Sequence, residues 1–215
     1  MLEPKAKIPI FPLPDVVLFP GVALPLHVFE PRYRQMVRDA MASERPIVGI
    51  ALLKGDWQKD YYGNPQIFEV GCAGEIVQAV SLPQGRFNVL LKGLREYRIG
   101  QEIFEKSYRQ AVVEWLPAGV PEQLLPREAR VETARFVEAY LEEAQAVRRF
   151  VSDPSVSDEF FVNFFAFHLD LPPLEKQVLL EAGSVAERAR RLCDVLDFRI
   201  AARRWMKDPT GPRAH

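Results

Sequence analysis

Residues 8–37 read IPIFPLPDVVLFPGVALPLHVFEPRYRQMV, and this stretch decides the fold. It opens with a short apolar run, 8–13, broken by Pro9 and Pro12. Proline gives no ladder N–H, so the run is predicted to be an edge or barrel-rim strand. A second apolar piece, 15–19, runs into Phe19-Pro20-Gly21-Val22. Pro and Gly there occupy the two central places of a type II turn, where Gly supplies the positive φ. Residues 22–28 are again apolar. Pro31 then sits where a helix can begin, because the first turn has no use for its missing N–H. Tyr33, Met36, Val37, Ala40 and Met41 follow at steps of one, three and four, a single stripe predicted to be buried.

Outward from this stretch the period stays short. Residues 47–53 are continuously apolar and predict a fully buried strand. Residues 54–66 are polar and aromatic, a loop long enough to be functional. Residues 67–82 predict a strand with a bulge or close approach at Gly71 or Gly74. Leu82-Pro83-Gln84-Gly85 is a hairpin turn. Phe87, Val89 and Leu91 alternate along the next strand, which Gly93 is expected to separate from 94–99, where Leu94, Tyr97 and Ile99 are the apolar members. Residues 108–116 are a last strand. Pro117, Gly119, Pro121 and Pro126 mark a linker, and beyond it the period is helical. Val131, Ala134, Val137, Leu141 and Ala144 predict one helix to about residue 150. Ser157 is a fitting N-cap for a helix over 158–169 that is apolar on nearly every side. Pro172 and Pro173 open a short helix that Gly183 closes. Ser184 and Glu187 form a capping box for a last helix, whose buried stripe is Leu192, Leu196 and Ile200. The tail after Lys207 is expected to fray. The fold is therefore expected to be α+β: a barrel subdomain with one helix over 1–117, then an α-helical bundle subdomain over 118–215.

The 215 residues are 48% hydrophobic and 27% charged, with a formal net charge of -1. Such a chain fills a normal core and carries no global attraction to nucleic acid or anionic lipid. The charge is uneven. From Arg188 onward there are eight basic residues against three acidic ones. Cys72 and Cys193 match no metal spacing and read as small buried hydrophobes. The N-terminus lacks the pattern of a signal peptide, and no apolar run is long enough to span a bilayer. A cytoplasmic protein is expected.

No catalytic constellation is legible. There is no GxxxxGK[ST] loop, no GxSxG elbow, and no His, Cys or acidic cluster at ligand spacing. His27 reads as a core or rim histidine. His168 closes the Phe-rich helix, where a histidine meets the helix dipole favourably. No enzyme activity, cofactor or metal is expected. Two features remain. The Phe-rich helix must bury most of its surface or expose an adhesive patch, and core packing is the favoured reading. The Arg-rich last helix is a solvated face or an anion site. The solvated face is favoured, because Trp205 alone interleaves with its basic residues.

The opening stretch resembles the Lon protease N-terminal, or substrate-binding, domain, with Phe11-Pro12-Leu13, Val17-Leu18-Phe19-Pro20-Gly21, Leu24-Pro25-Leu26 and Phe29-Glu30-Pro31-Arg32-Tyr33 as matching elements. Phe68-Glu69-Val70-Gly71-Cys72, Ala73-Gly74-Glu75-Ile76 and 82–95 resemble the family's second signature. Leu169-Asp170-Leu171 and Glu175-Lys176-Gln177 resemble its helical lobe. Stand-alone members and the corresponding region of cereblon are the nearest in pattern. The resemblance implies a PUA-like β pseudobarrel followed by a C-terminal helical bundle, without the ATPase and Ser-Lys protease modules and without catalytic residues. It implies a protein-interaction module for exposed apolar segments of unfolded or partly folded polypeptides, acting with a separate protease or chaperone. The expected site is a groove between barrel and helical lobe, with Phe29, Tyr33 and Met36 on one side and Phe160, Phe161 and Phe164 on the other. The alternative is an RNA-binding PUA-like module using the Arg-rich helix. Nucleic acid and membrane are otherwise not expected as partners.

Overall fold

The computed structural model describes residues 5–117 and 125–207. Residues 118–124 of the expected linker lie outside the described residues, as does the tail after Lys207 with Asp208, Arg213 and His215. The strands are β1 (Lys5–Leu13), β2 (Ala23–Val28), β3 (Ile47–Leu52), β4 (Val70–Ser81), β5 (Phe87–Ile103) and β6 (Gln110–Trp115). The helices are α1 (Pro31–Met41), α2 (Arg127–Leu141), α3 (Ala144–Ser152), α4 (Asp158–His168), α5 (Pro173–Leu180) and α6 (Val185–Lys207). The fold is α+β, a PUA-like β pseudobarrel followed by helices. Contacts divide it into two compact units, Met1–Ala118 with Ala166–Glu181, and Gly119–Phe165 with Ala182–His215. The short helix α5, expected with the helical bundle, thus belongs to the barrel's unit, where Gln177 Nε2 donates to the Val70 carbonyl at 2.9 Å.

The barrel is one six-stranded sheet in the order β2-β5-β4-β3-β1-β6, and β5 also pairs with β6, which returns the sheet on itself. The first strand is not an edge. Residues 5–9 pair antiparallel with β6, and residues 10–13 pair parallel with β3. Its prolines are tolerated because each half has its ladder on one side only. Every residue of β3 is buried, as its continuous apolar run requires. Tyr97 is fully buried beside Ile8, Ile10 and Val113, and its hydroxyl donates to the Ile50 carbonyl at 3.0 Å. That bond satisfies a polar tip that would otherwise be costly to bury.

The 19–22 turn forms as its residues demand. Gly21 has φ 80°, and Val22 N donates to the Phe19 carbonyl at 3.2 Å. The turn lies on β5. Gly21 N donates to the Gly93 carbonyl, and Gly93 N to the Val22 carbonyl, both at 2.8 Å. Gly93 therefore does not end a strand: β5 runs through it without interruption. A Cβ at Gly93 would lie 2.1 Å from the Phe19 carbonyl oxygen, so the position needs glycine for close approach. The β4–β5 register shifts between Ala73 and Gly74, but the extra residue is Leu94 of β5 and not the glycine of β4, whose own extra residue is Val77. Of the apolar members named for 94–99, Tyr97 is buried and Leu94 is exposed.

The helical unit holds α2, α3, α6 and most of α4. The helix expected to carry the Val131–Ala144 stripe to about residue 150 is two, α2 and α3. Glu142 adopts the left-handed conformation at φ 57° and ends α2. Neither Gly nor Pro marks that break, so periodicity alone carried the expectation across it. Of the expected stripe, Ala134 and Val137 are buried, whereas Val131 and Leu141 are exposed. Ser157 caps α4 through a 3.2 Å bond from Phe160 N. Ser184 Oγ accepts from Glu187 N at 3.1 Å, while the Glu187 carboxylate reaches Gly183 N at 3.0 Å. Leu192 and Leu196 are buried, and Ile200 is half-buried. Both cysteines are buried.

Candidate functional site

The first helix is held in place by its sequence. Pro31 begins it, Tyr33, Met36, Val37 and Ala40 bury against the sheet side, and Arg32, Arg34 and Arg38 turn outward. On the same unit two loops, 61–65 and 104–109, meet α1 and the end of β1 around a cavity of roughly 270 Å³. Its wall is aromatic: Tyr33, Tyr61, Tyr62, Phe104 and Tyr108. Its cations are Arg32, Lys106 and Arg109, and no Asp or Glu is among its lining residues. Tyr62 is 88% exposed and Phe104 55%, so two rings stand open to solvent at the rim.

A ring of polar bonds fixes these walls. Tyr61 Oη donates to Glu30 Oε1 at 2.5 Å, and Arg32 pairs with Glu30 at 3.1 Å while stacking its guanidinium over Tyr33 and Tyr61. Arg109 is buried, donates to the Pro65 carbonyl at 2.8 Å and pairs with Glu102 at 3.2 Å. These contacts tie the two loops together. Lys106 and Tyr108 both donate to Asp39 Oδ2, at 2.5 and 2.7 Å. Their hydrogen bonds hold the Asp39 carboxyl below the usual range.

This pull has a consequence for acid stability. The folded state keeps Asp39 charged at a pH where the unfolded chain has already taken up the proton. The contribution is whole above about 3.9, the ordinary Asp value, and is lost as pH falls through the lower folded value. Asp39→Asn is expected to flatten the fall of the urea midpoint between about pH 4 and pH 2, measured by tryptophan fluorescence at a series of pH values. A slope unchanged by the substitution would remove Asp39 from the acid response.

The structure distributes the six expected contact residues differently. Tyr33 lines the cavity, though it is only 4% exposed. Phe29 is 60% exposed and precedes Glu30. Met36 and Phe161 are fully buried. Both are core residues, the first under α1 and the second inside the helical unit, and they offer a peptide no surface. Phe160 and Phe164 are half-buried in a ring cluster of the helical unit, where both pack on Phe150 at centroid distances of 6.1 and 4.7 Å. Packing in the Phe-rich helix is thus largely internal, as the favoured reading of its composition had it. Tyr61, Tyr62, Phe104, Tyr108 and Arg109 were not identified from sequence, although the aromatic character of 54–66 was a usable signal.

The Arg-rich helix is largely engaged. Arg188 is buried on Asn163, Arg190 pairs with Asp194 at 2.9 Å, Arg191 pairs with Glu187, and Arg203 donates to the Tyr140 carbonyl at 2.8 Å. This does not favour a polyanion site. Among the described residues, no three or more His, Cys, Asp or Glu side chains gather as a metal site, and no helix is long and apolar enough to cross a membrane.

Comparison with known proteins agrees with this architecture. The chain is 30% identical over 194 residues to the Lon protease of Heliobacterium modesticaldum, covering 88% of this chain and 24% of that protein. It is 27% identical over 204 residues to the Lon protease of Escherichia coli strain K12, covering 91% and 25%. The chain thus spans about a quarter of the length of the Lon proteases it matches. Among solved structures it resembles the N-terminal domain of Mycobacterium avium complex Lon protease, with a TM-score of 0.65 and 20% identity over 89% of this chain and 98% of that one. It also resembles the Lon N-terminal domain protein from Xanthomonas campestris, with a TM-score of 0.63 and 23% identity over 90% and 98%. These two likenesses concern the fold. The family model of the ATP-dependent protease La (LON) substrate-binding domain matches residues 7–197, and the chain belongs to that family.

Proposed function

We propose that this chain is a non-enzymatic substrate-binding module that recognises exposed apolar segments of polypeptides, with the cavity of the barrel unit as its seat. The observation that carries the reading is the aromatic wall with Tyr62 and Phe104 open at its rim. A concavity walled mainly by aromatic side chains, with rings open at its rim, is the surface an apolar segment can be buried against. Burying roughly 100 Å² of apolar area against them contributes about 2.5 kcal/mol, which loss of rotational and translational freedom offsets. Useful affinity therefore needs several contacts along one segment. Phe29 on the barrel unit, and Phe160 and Phe164 on the helical unit, are kept as secondary contacts. Family membership supports a substrate-binding role, and the proteolytic character of the relatives supports polypeptide as the substrate class. A cytoplasmic location and action with a separate protease or chaperone belong to the same proposal.

The test is fluorescence anisotropy with a labelled, reduced and unfolded model protein. Tyr62→Ser with Phe104→Ser is expected to weaken binding at least tenfold, by about 1.4 kcal/mol or more. Phe198→Ser, which alters an exposed ring of the helical unit, is expected to leave it unchanged. Undiminished binding by the double variant would overturn the placement in this cavity. A short single-stranded RNA serves as the second probe, and RNA binding that falls steeply with salt, without polypeptide binding, would replace this reading with the nucleic-acid one.

A further inference from the structure

The last helix, α6, has two apolar faces, and the fold uses one of them. Leu192 and Leu196 are fully buried in the helical unit. On the opposite side, the last turns of the helix carry Phe198, Ala201, Ala202 and Trp205, at steps of three and four. Phe198 is 73% exposed, Trp205 64%, and Met206 beside them 74%. Single apolar side chains on a surface need no explanation, but a stripe of large ones along one helix face marks an interaction surface. Residues 208–215 read DPTGPRAH, a segment with no large apolar side chain to cover that stripe.

The flank of the stripe selects the partner by charge. Asp197 and Arg204 stand about two helical turns apart and line one groove beside α2. Neither has a hydrogen bond or ion pair among the described residues. When two copies of a helix pack antiparallel about a twofold axis, like flanks meet. An axis level with residues 200 and 201 sets Asp197 of one copy against Arg204 of the other, and symmetry makes the same contact twice. It also brings Phe198 of one copy beside Trp205 of the other. Ala201 and Ala202 then stand next to the axis, where small side chains let the helices approach closely. A parallel pair would turn that flank against the opposite one and make neither charge contact.

We infer that the outer face of α6 is a self-association surface, and that its partner is a second copy of this chain packed antiparallel on it. A client of varied sequence cannot match a fixed row of one acid and one base, whereas the same row reversed matches it at both ends. On a scale of about 200 Å² per aromatic side chain, the two rings expose about 140 Å² each. With Met206 and the alanines each copy contributes about 500 Å², and the pair buries about 1,000 Å², the lower bound for a specific interface. The pair is therefore reversible and half-formed at micromolar concentration. It stands apart from the substrate-binding reading. The contact is in the helical unit, and client affinity per chain is expected to be the same in the single and the paired state.

Sedimentation velocity of the full chain, from about 1 to about 100 µM, reads the association. The mean mass is expected to rise from 24.6 kDa toward twice that value. Trp205→Glu is expected to weaken association at least tenfold, with the melting temperature of the dilute chain unchanged. Asp197→Arg and Arg204→Asp each place like charges in both reciprocal contacts, and each is expected to weaken association several-fold. An equimolar mixture of these two variants restores both contacts and is expected to associate as the unaltered chain does, a result independent of how the Trp205 variant folds. A single mass of 24.6 kDa throughout would overturn the pair. If Trp205→Glu then also abolished binding of the unfolded model protein, the face would belong to clients instead. Association indifferent to Trp205→Glu would overturn the choice of face. Failure of the mixture to associate would overturn the antiparallel arrangement, and growth beyond twice the single mass would overturn a closed pair.

Discussion

Gly93→Ala is expected to lower stability by on the order of 3 kcal/mol, at the upper end of overpacking effects. The added Cβ would stand 2.1 Å from the Phe19 carbonyl oxygen and 3.2 Å from the Pro20 Cα. Both belong to main chain, and neither can swing aside as a flexible side chain would. The turn is locked from both directions by the paired 2.8 Å bonds that Gly93 makes with Gly21 and Val22. The Phe19 side chain is fully buried, so the turn cannot lift without drawing a ring out of the core. Relief must come from breaking the bonds or tearing β5, and each costs more than a methyl can return. Gly100→Ala makes the comparison. It is in the same strand, and its Cβ meets only the Val112 carbonyl, at 3.3 Å, so a loss of under about 1 kcal/mol is expected. Urea unfolding followed by tryptophan fluorescence reads both, and equal losses at the two positions would show that the turn gives way more easily than its bonding implies.

Arg130→Ala is the second large effect, at about 3 kcal/mol, and it acts in the helical unit. Arg130 pairs with Asp158 and donates to the Val151 and Val156 carbonyls, both at 3.1 Å, with its guanidinium 5.0 Å from the centre of the Phe161 ring. One side chain thus joins α2 to the end of α3, to the following turn and to the start of α4. Its charge and that of Asp158 are mostly shielded, with side-chain exposures of 18% and 14%. Deleting the cation leaves the carboxylate with the Leu125 N–H at 2.9 Å but without its counter-charge, which is the costly way to break such a pair. Arg130→Lys is expected to recover under half of the loss, because a lysine ammonium cannot span several acceptors with a planar fork. Since the chain has two units, hydrogen exchange of the α2 and α4 amides is the suitable readout. Protection maintained in those helices by Arg130→Ala would show that ring packing around Phe161 holds them without the guanidinium.

The contrast between these two residues explains what was legible. Local signals were sufficient where one residue type settles a local geometry: Gly21 in its turn, Pro31 at the start of α1, Ser157 and Ser184 at their caps. The continuous apolar run of β3 was likewise decisive. Readings failed where the reason lies across the chain. Gly93 resembles a breaker in its own neighbourhood, and only Phe19 shows it to be a point of close approach. Glu142 interrupts a sound helical period with no residue that announces it. Met36 and Phe161 are apolar at helical spacing, a pattern that fits a core stripe and a binding stripe equally. The cavity was least visible, because Tyr33, the 61–65 loop and the 104–109 loop become neighbours only through the sheet. Arg109 in particular reads as an ordinary strand-end cation until its burial is seen.

The divided pairing of β1 bears on how the barrel comes into being. Lys5 stands opposite Glu114, and Ile10 opposite Gly49, so one strand waits for partners made at very different times. As the chain emerges from a ribosome, the later half of β1 can dock once β3 is out. Its first half stays unmatched until β6 has been synthesised, near the end of the barrel segment. Such distant pairing makes closure slow compared with the formation of the local helices. In the interval an unpaired strand edge is available to other nascent chains. The alternation of Lys5 and Lys7 with apolar Ala6 and Ile8 places charge on that waiting edge, a known deterrent to edge-to-edge association.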